Sequence, residues 1–300
     1  MINVRPINDV WLDLRSTQPG KWDTYTWIEK FETNLKRLVK NLDLTTTIGY
    51  CDAAYATDDL INYTENSPIP YLFKVSPNRY FIDNYSPVLW KYSDVDSTIR
   101  NKFVNPNKYK AGELEYSFQS DYILFALQAN NFRPGAITQE LLLKIIHWAE
   151  TTQNYVLFKL HPFTGENSRV VDFWNRLVEL QVIKRYAVLV DSTYNTDSLI
   201  DGSRAVWTYS SGVALQGVLK DKPVAVFNGN MDYSGAARIV TSPEEANSIV
   251  AKNDEEVNRF LTWYYNKLVI DVSSDTFPQA LQARIESCVA NDYDIERIFR

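Results

Sequence analysis

The sequence predicts an α/β protein whose C-terminal part folds around a parallel, doubly wound sheet. From about residue 120 onwards, short apolar runs alternate with amphipathic segments of helical spacing. The apolar runs are almost continuous, as expected for strands that are buried on both faces. Strands that alternate with helices in this way favour parallel βαβ units. Ligands bind such sheets outside the carboxyl ends of the strands, so the residues that follow each apolar run are the first candidates for a site.

The predicted strands of this part are 121–128, 155–160, 186–190, 205–209 and 224–227. Helices are expected between them, and Thr138 and Ser168 each precede an amphipathic segment as suitable N-cap residues. The first of these helices contains His147, which we expect to be a core residue. Two further helices are expected near 243–251 and 254–268.

The first 115 residues predict a second, smaller α/β domain. Residues 27–42 have the spacing of an amphipathic helix, and residues 45–50 form a strand-like run that ends at Cys51-Asp52. Segments rich in proline and tyrosine follow. We expect the domain boundary near residues 111–120.

Composition excludes several classes of protein. The chain of 300 residues is 45% hydrophobic, which is enough to build sizeable cores and argues against disorder. The longest apolar runs are too short to span a bilayer, and we expect neither a signal peptide nor a membrane span. Cys51 and Cys288 are the only cysteines, which suits a reducing cytoplasm. A net charge of −6 argues against bulk nucleic-acid affinity.

The run Ser210-Ser211-Gly212 follows a predicted strand and opens a predicted helix. Free backbone N–H groups at a helix start favour a phosphate, two hydroxyls add donors, and Gly212 allows close approach. The alternative is simple N-capping, which needs only one serine. Gln128 occupies another strand end, where its amide suits a base, a ribose or a phosphate, or a hydrogen bond within the loop.

His161 ends the strand that precedes Pro162, and the chain has only two histidines. Near neutral pH an imidazole can donate a proton or carry charge beside a phosphate, and so assist a nucleotide leaving group. The alternative is a satisfied core histidine. Lys159, two residues earlier, is expected on the same face of the strand as His161, where its ammonium could bind a phosphate.

Other motifs carry less information. Asn228 and Gly229 lie at a fourth strand end, but the chain lacks both G-x-G-x-x-G and G-x-x-x-x-G-K-[ST]. Dehydrogenase and P-loop kinase activities are therefore not indicated. Asp94-Val95-Asp96 forms a D-x-D of the kind that holds a divalent metal in some sugar transferases. Such short patterns arise easily by chance, and we expect no metal site.

In order along the chain, these elements resemble the capsule polysaccharide biosynthesis family of Kdo-transferase type. The resemblance rests on the strand ending at Gln128, on HWAETT, on Lys159-Leu160-His161-Pro162 and on AVWTYSSGVALQGVLKDKPVAVFNG. It covers about residues 118–235.

The resemblance implies a GT-B fold, in which two Rossmann-like domains face each other across a cleft. It implies an acceptor-binding domain over 1–115, a nucleotide-sugar-binding domain over 116–275, and a helix within 276–300 that packs back on the first domain.

The resemblance also implies roles for individual residues. His161 is the phosphate partner or acid, Ser210 and Ser211 are phosphate ligands, and Gln128 lines the cleft. Gln216 stands where many GT-B enzymes have a glutamate for the ribose hydroxyls, and its amide can still hydrogen-bond. The donor is left open among CMP-, UDP- and GDP-sugars, with no tightly bound cofactor.

We therefore interpret the chain as a glycosyltransferase that is inverting and independent of metal. Asp52, after a predicted strand, is the candidate base for the acceptor hydroxyl, and Asp58 and Asp59 are nearby alternatives.

The acceptor is either a surface glycan or a hydroxymethylated pyrimidine in bacteriophage DNA, in the cytoplasm of a bacterium or of an infected host cell. Lys108 and Lys110 lie in a basic segment that could contact DNA phosphates. The alternatives outside transfer are a nucleotide-sugar 2-epimerase and a non-catalytic protein that binds sugar nucleotides.

Overall fold

The computed structural model describes residues 2–6, 24–50, 59–65, 69, 71–77, 89–103, 118–128, 132, 136–161, 168–227 and 235–299. The chain forms two compact units. The first comprises residues 1–105 and 255–300, and the second comprises residues 106–254. The resemblance had suggested that the chain changes domain near 115 and 275. In the structure the change falls at 105 and 254, because the last five elements complete the first unit.

The first unit contains a mixed five-stranded sheet. Its strands are β1 (Ile2–Arg5), β2 (Thr46–Tyr50), β3 (Ile61–Glu65), β4 (Leu72–Ser76) and β11 (Val269–Asp271), in the spatial order β1-β2-β3-β4-β11. Strands β1 to β3 are parallel, β4 is antiparallel to β3, and β11 is antiparallel to β4. The late strand β11 therefore joins a sheet whose other strands come from the first 76 residues.

Four helices accompany this sheet in the described part of the first unit. They are α1 (Thr24–Val39), α7 (Asp254–Trp263), α8 (Phe277–Ala290) and α9 (Ile295–Phe299). Short 3₁₀ segments cover Trp90–Tyr92 and Ser97–Phe103, and a π-helical turn covers Tyr264–Leu268.

The core of the first unit is built around Phe31 of α1. Its ring stacks on Phe73 of β4 at 4.5 Å between centroids and lies 5.7 Å from Phe277 of α8. The last long helix thus packs in the same core as the first one. Aromatic pairs at such distances add to the free energy already gained by removing the rings from water.

Arg284 of α8 ties this helix to the sheet. The buried guanidinium donates to the carbonyls of Val75 at 2.9 Å and Leu268 at 3.0 Å, and also to Lys267, while lying 4.7 Å from the ring of Phe299. Burial lowers the pKa of Arg284 to about 10. The guanidinium thereby holds α8 to main-chain oxygens of β4 and of the π-helical turn.

The second unit contains an all-parallel sheet of six strands, which confirms the predicted fold class. The strands are β5 (Tyr122–Ala126), β6 (Tyr155–Lys159), β7 (Ala187–Val190), β8 (Ala205–Thr208), β9 (Val224–Val226) and β10 (Arg238–Ile239), in the order β10-β9-β8-β5-β6-β7. Its helices are α2 (Gln139–Thr152), α3 (Arg169–Glu179), α4 (Thr196–Gly202), α5 (Val213–Leu219) and α6 (Pro243–Ser248).

Both predicted N-caps are confirmed. Thr138 Oγ1 accepts the N–H of Leu141 at 3.2 Å, and Ser168 Oγ accepts the N–H of Val171 at 3.3 Å. The expectation for His147 is wrong, since its side chain is exposed on α2. The adjacent Trp148 points inward instead and packs on Trp207 of β8, with 5.2 Å between ring centroids.

No helix in the described ranges combines the length and the apolar character that a bilayer crossing requires.

Helix α5 approaches the sheet so closely that position 217 has no room for a side chain. A Cβ on Gly217 would lie 2.9 Å from Val224 Cγ2 and 3.1 Å from Val206 Cβ. Branched valines on neighbouring strands have little freedom to move aside. Glycine at 217 therefore sets the distance between α5 and strands β8 and β9.

We expect Gly217→Val to lower the free energy of unfolding by about 1–3 kcal/mol, because added methyl groups overpack this contact. Urea denaturation measures the change. The matched control is His147→Val, a change at an exposed position of α2, which should have a much smaller effect. Equal stability of both variants would contradict the close packing of α5.

Candidate functional site

Three adjacent strands end together at the carboxyl edge of the second sheet. Ala126 of β5 is level with Lys159 of β6 on one side and with Thr208 of β8 on the other. The pairing continues one residue further, because the N–H of Leu127 donates to the Lys159 carbonyl at 3.0 Å. The side chains that follow these ends, Gln128, His161 and Ser210, therefore leave the sheet at one edge.

Gln128 and Ser210 contact each other directly. The amide Nε2 of Gln128 donates to the hydroxyl oxygen of Ser210, and both residues are partly buried. Two residues that are 82 positions apart in the sequence are thus joined at adjacent strand ends. The bond uses a lone pair of the Ser210 oxygen, which keeps its own proton to donate.

Ser211 and Gly212 form the turn into α5. The N–H of Ser211 donates to Thr208 Oγ1 at 3.0 Å, and Ser211 Oγ accepts the N–H of Val213 at 3.3 Å. The N-cap residue of α5 is Gly212, which has no side chain to cap the helix, and Ser211 Oγ, one position earlier, accepts the first N–H of the helix instead. Gly212 has φ −58°, a conformation that other residues also adopt.

Thr208 is a site residue that the sequence interpretation missed. It is fully buried, and its hydroxyl donates to the Ala126 carbonyl at 3.4 Å while accepting the N–H of Ser211. The hydroxyl therefore links the end of β5 to the serine turn. The sequence feature that could have identified Thr208 is its position as a polar residue at the end of an otherwise apolar strand.

Lys159 is buried, and its ammonium points at the main chain. It donates to the carbonyls of Leu160 at 2.9 Å and Ser192 at 3.0 Å. Burial lowers the pKa of Lys159 to about 8, an effect that the nearby carboxylate of Asp191 opposes. In this position the ammonium holds the peptide immediately before His161 and the loop after β7.

Asp191 is the strand-end residue of β7. Its carboxylate accepts the N–H of Thr193 at 2.8 Å. That bond, together with the nearby Lys159 ammonium, lowers the pKa of Asp191. The carboxylate is therefore ionised at neutral pH and partly balances the charge of Lys159.

His161 follows the end of β6 and is partly exposed. The hydrogen bond between Leu160 N–H and the Val190 carbonyl, 2.9 Å long, holds the chain up to the residue before it. His161 is therefore the first residue beyond the hydrogen-bonded part of β6. This strand lies next to β5, which Gln128 follows.

Gln216 lies one turn inside α5 and is buried, with 7% of its surface exposed. Its Nε2 meets no hydrogen-bond acceptor among the residues that the structure describes. A buried donor without an acceptor costs about 1–3 kcal/mol. Because a ligand hydroxyl could satisfy this donor, Gln216 stays a candidate for the ribose.

Several predicted residues lie outside the described residues. These are Asn228 and Gly229, which follow β9 in the sequence, Asp52 and Asp58, which follow β2, and Lys108 and Lys110.

Asp59 is described and is a poor alternative base. It precedes β3, at the amino end of that strand, and its fully buried carboxylate lies 3.3 Å from Arg5 Nε. A carboxylate that is buried beside a guanidinium serves an ion pair and has no access to an acceptor hydroxyl.

The D-x-D motif has a local structural role. The Asp96 carboxylate accepts the N–H and the hydroxyl of Thr98 at 2.8 and 2.7 Å, and these bonds lower its pKa. It thereby caps the 3₁₀ segment Ser97–Phe103. Within the described ranges no group of three or more His, Cys, Asp or Glu side chains is arranged to hold a metal ion.

Residues 110–254 match the sequence model of a family described as capsule polysaccharide biosynthesis protein. The match confirms the resemblance seen over about 118–235 and spans just under half of the chain. A comparison with curated proteins found no match.

Among solved structures, two of Thermosulfurimonas dismutans KpsC are similar to this chain. The β-Kdo 2,4-transferase has 13% identity and a TM-score of 0.48, covering 86% of this chain and 89% of that one. The β-Kdo 2,7-transferase has 11% identity and a TM-score of 0.47, covering 87% and 89%. Anabaena Alr3699/HepE in complex with UDP-glucose has 11% identity and a TM-score of 0.34, covering 57% and 49%.

The buried ammonium of Lys159 generates a pH-dependent prediction. Its pKa of about 8 lies below the value of about 10.4 in an unfolded chain. Between these values the unfolded chain binds more protons, so the contribution of this group to stability rises with pH. Between these two pH values, the free energy of unfolding of the wild type should rise relative to that of Lys159→Met by up to about 1.4 kcal/mol per pH unit.

Urea denaturation at about pH 7.5 and about pH 9.5 measures the difference. The control Lys144→Met removes an exposed lysine of α2 and should follow the wild type. If the difference between the wild type and Lys159→Met does not change with pH, Lys159 is not desolvated as described.

Proposed function

We propose that this chain, whose residues 110–254 match the capsule polysaccharide biosynthesis family, is a glycosyltransferase that takes its sugar from a nucleotide-sugar donor. The observation that supports this most strongly is the common sheet edge of Gln128, His161 and Ser210. Together these side chains offer an amide, an imidazole and a hydroxyl at the place where ligands bind parallel sheets.

In this proposal the second unit binds the donor. Ser210 donates its hydroxyl proton to a phosphate oxygen, while Gln128 holds the Ser210 oxygen in place. Helix α5 has only seven residues, so the hydroxyl and the local amides matter more than a helix dipole. Ser211, Gly212, Asn228 and Gly229 complete the proposed phosphate contacts, and Gln216 serves the ribose hydroxyls.

His161 assists the departure of the nucleotide. An imidazole beside the bridging phosphate oxygen can donate a proton to it or balance its growing charge. Lys159 acts as a positioning residue, because its ammonium holds the Leu160 carbonyl next to His161. This role is indirect, since the ammonium points at main-chain oxygens.

The first unit binds the acceptor, and Asp52 is its proposed base. The acceptor oxygen attacks the anomeric carbon while the bond from that carbon to the phosphate oxygen breaks. Asp52 takes the hydroxyl proton, and the nucleotide departs with the bonding electrons. A single displacement of this kind inverts the configuration and needs neither a covalent intermediate nor a metal ion.

We propose a surface glycan as the acceptor, because the matched family is described by capsule polysaccharide biosynthesis. The reaction would take place in the cytoplasm of a bacterium. Glycosylation of bacteriophage DNA would instead require duplex binding that weakens with salt and depends on Lys108 and Lys110.

A thermal-shift panel of CMP-, UDP- and GDP-sugars tests donor binding. A true donor at about 100 times its Kd should stabilise the protein by about 2.7 kcal/mol. Failure of every nucleotide sugar to stabilise the chain would contradict the proposal.

For catalysis, we expect His161→Ala to slow sugar transfer or donor hydrolysis by about 10²- to 10⁴-fold, which is the usual contribution of a general acid. His147→Ala is the matched control, because it removes the other histidine from an exposed helix face. Product is measured by chromatography of released nucleotide and sugar.

Two other results would point elsewhere. Isomerised nucleotide sugar without a transfer product indicates a 2-epimerase. Donor binding without any turnover, in wild type and His161→Ala alike, indicates a non-catalytic binding protein.

A further inference from the structure

The first sheet also has a carboxyl edge, and a cluster of polar aromatic residues lies there. Strands β1, β2 and β3 run in one direction, and Glu65 at the end of β3 pairs with Phe73 at the start of β4. Asp271, the last residue of β11, pairs with Leu72. Tyr71 and Asp271 therefore lie at the edge where β1 to β3 end.

Two further aromatic residues complete the cluster. The ring of Trp27, in the first turns of α1, meets Tyr71 edge-on with 6.0 Å between centroids. Tyr265 of the π-helical turn reaches the cluster through its hydroxyl, which donates to Asp271 Oδ2 at 2.7 Å. We call Trp27, Tyr71, Tyr265 and Asp271 the edge cluster.

All four members of the edge cluster are partly buried and partly exposed. Core aromatic residues of this unit, such as Phe31 and Phe73, are fully buried instead. Rings that keep part of their surface in water, in contact with a carboxylate, are suited to a ligand that is both apolar and rich in hydroxyls.

The tyrosines of the cluster stay protonated. Burial raises the pKa of Tyr71, and the nearby Asp271 carboxylate raises it further. Burial and the hydrogen bond to Asp271 raise the pKa of Tyr265 as well. The Tyr71 hydroxyl donates to the Lys102 carbonyl at 3.0 Å, which fixes its ring.

Two exposed lysines lie over the rings. Lys30 Nζ is 5.5 Å from the centre of the Trp27 ring, and Lys102 Nζ is 5.7 Å from that of Tyr265. Cation–π contacts at exposed sites are weak, so a ligand can displace these flexible side chains. The displaced ammonium groups then become hydrogen-bond donors beside that ligand.

We propose that the edge cluster binds a sugar residue of the acceptor glycan. The C–H face of a sugar ring packs on the aromatic surface. One sugar hydroxyl donates to Asp271 Oδ2 beside the Tyr265 hydroxyl, since Oδ1 already accepts the N–H and the hydroxyl of Ser273. A nucleic-acid backbone fits less well, because the same carboxylate repels phosphate. The inference rests on the proposed glycosyltransferase function, and β2 ends at this edge with Tyr50, two residues before Asp52.

Binding of short oligosaccharides tests the edge cluster. The probes are a panel of neutral and carboxylate-bearing di- and trisaccharides, with a DNA duplex as a separate arm, all measured by calorimetry on the full chain. We expect at least one saccharide to bind the wild type. Tyr71→Ala and Asp271→Asn should each weaken that binding by about tenfold or more.

The matched control is Tyr92→Ala, which removes a tyrosine of the same unit that is 87% exposed and lies outside the cluster. It should bind the saccharide like the wild type. Tyr265→Phe is the milder variant, which removes only the hydroxyl that contacts Asp271. Thermal denaturation establishes that each variant is folded.

Failure of the edge cluster can be distinguished from failure of the proposed function. The nucleotide-sugar thermal shift depends on the second unit and should be unchanged in every edge-cluster variant. If that shift persists while the variants bind saccharides as the wild type does, the edge cluster is not the acceptor site. The same conclusion follows if no saccharide binds the wild type, or if only DNA binds and its affinity falls in these variants.

Discussion

Every strand of the second sheet runs parallel to its neighbours, and the candidate site depends on that constraint. Two parallel neighbouring strands can be connected only by a crossover, which returns the chain to the edge of the sheet where the first strand began. All carboxyl ends therefore collect on one side, and the next residues leave the sheet together. Gln128, His161 and Ser210 come from three separate βα connections, yet they emerge from adjacent strands. One direct hydrogen bond, from Gln128 to Ser210, then joins two of them.

Buried polar groups hold this edge in shape. The Thr208 hydroxyl connects β5 to the serine turn, and the Lys159 ammonium connects β6 to the loop after β7. Such groups stay buried only when hydrogen bonds replace water. In the first unit, Arg284 likewise donates hydrogen bonds to main-chain carbonyls of β4 and of the π-helical turn. These carbonyls lie at the edge of the first sheet opposite to the edge cluster. In both units, cationic side chains are bound to main-chain oxygens, so their positions are fixed by the fold.

Much of the second unit was predictable, because its signals are local. Apolar runs marked the strands, and Thr138 and Ser168 marked helix starts through hydrogen bonds that span three residues. The same local methods wrongly placed His147 in the core. The adjacent Trp148 occupies the buried face of α2, and His147 is exposed. These methods also missed the edge cluster, whose members come from α1, the turn before β4, the π-helical turn and β11 and meet only through long-range pairing. The return of α7 and β11 to the first unit was missed for the same reason.

By itself, the sequence determined the α/β class, the order of the first five strands of the second unit and of the helices between them, and which residues follow each of these strands. The short sixth strand β10 was not predicted. Those features depend on periodicity and on caps, which act over a few neighbouring residues. Only the tertiary structure decided that Gln128 contacts Ser210, that Ser211 Oγ accepts the N–H of Val213, and that the Lys159 ammonium faces carbonyl oxygens. A side chain's direction and burial depend on what distant parts of the chain place beside it. For Lys159, that neighbour is the carbonyl of Ser192, 33 residues away, and no local pattern specifies it.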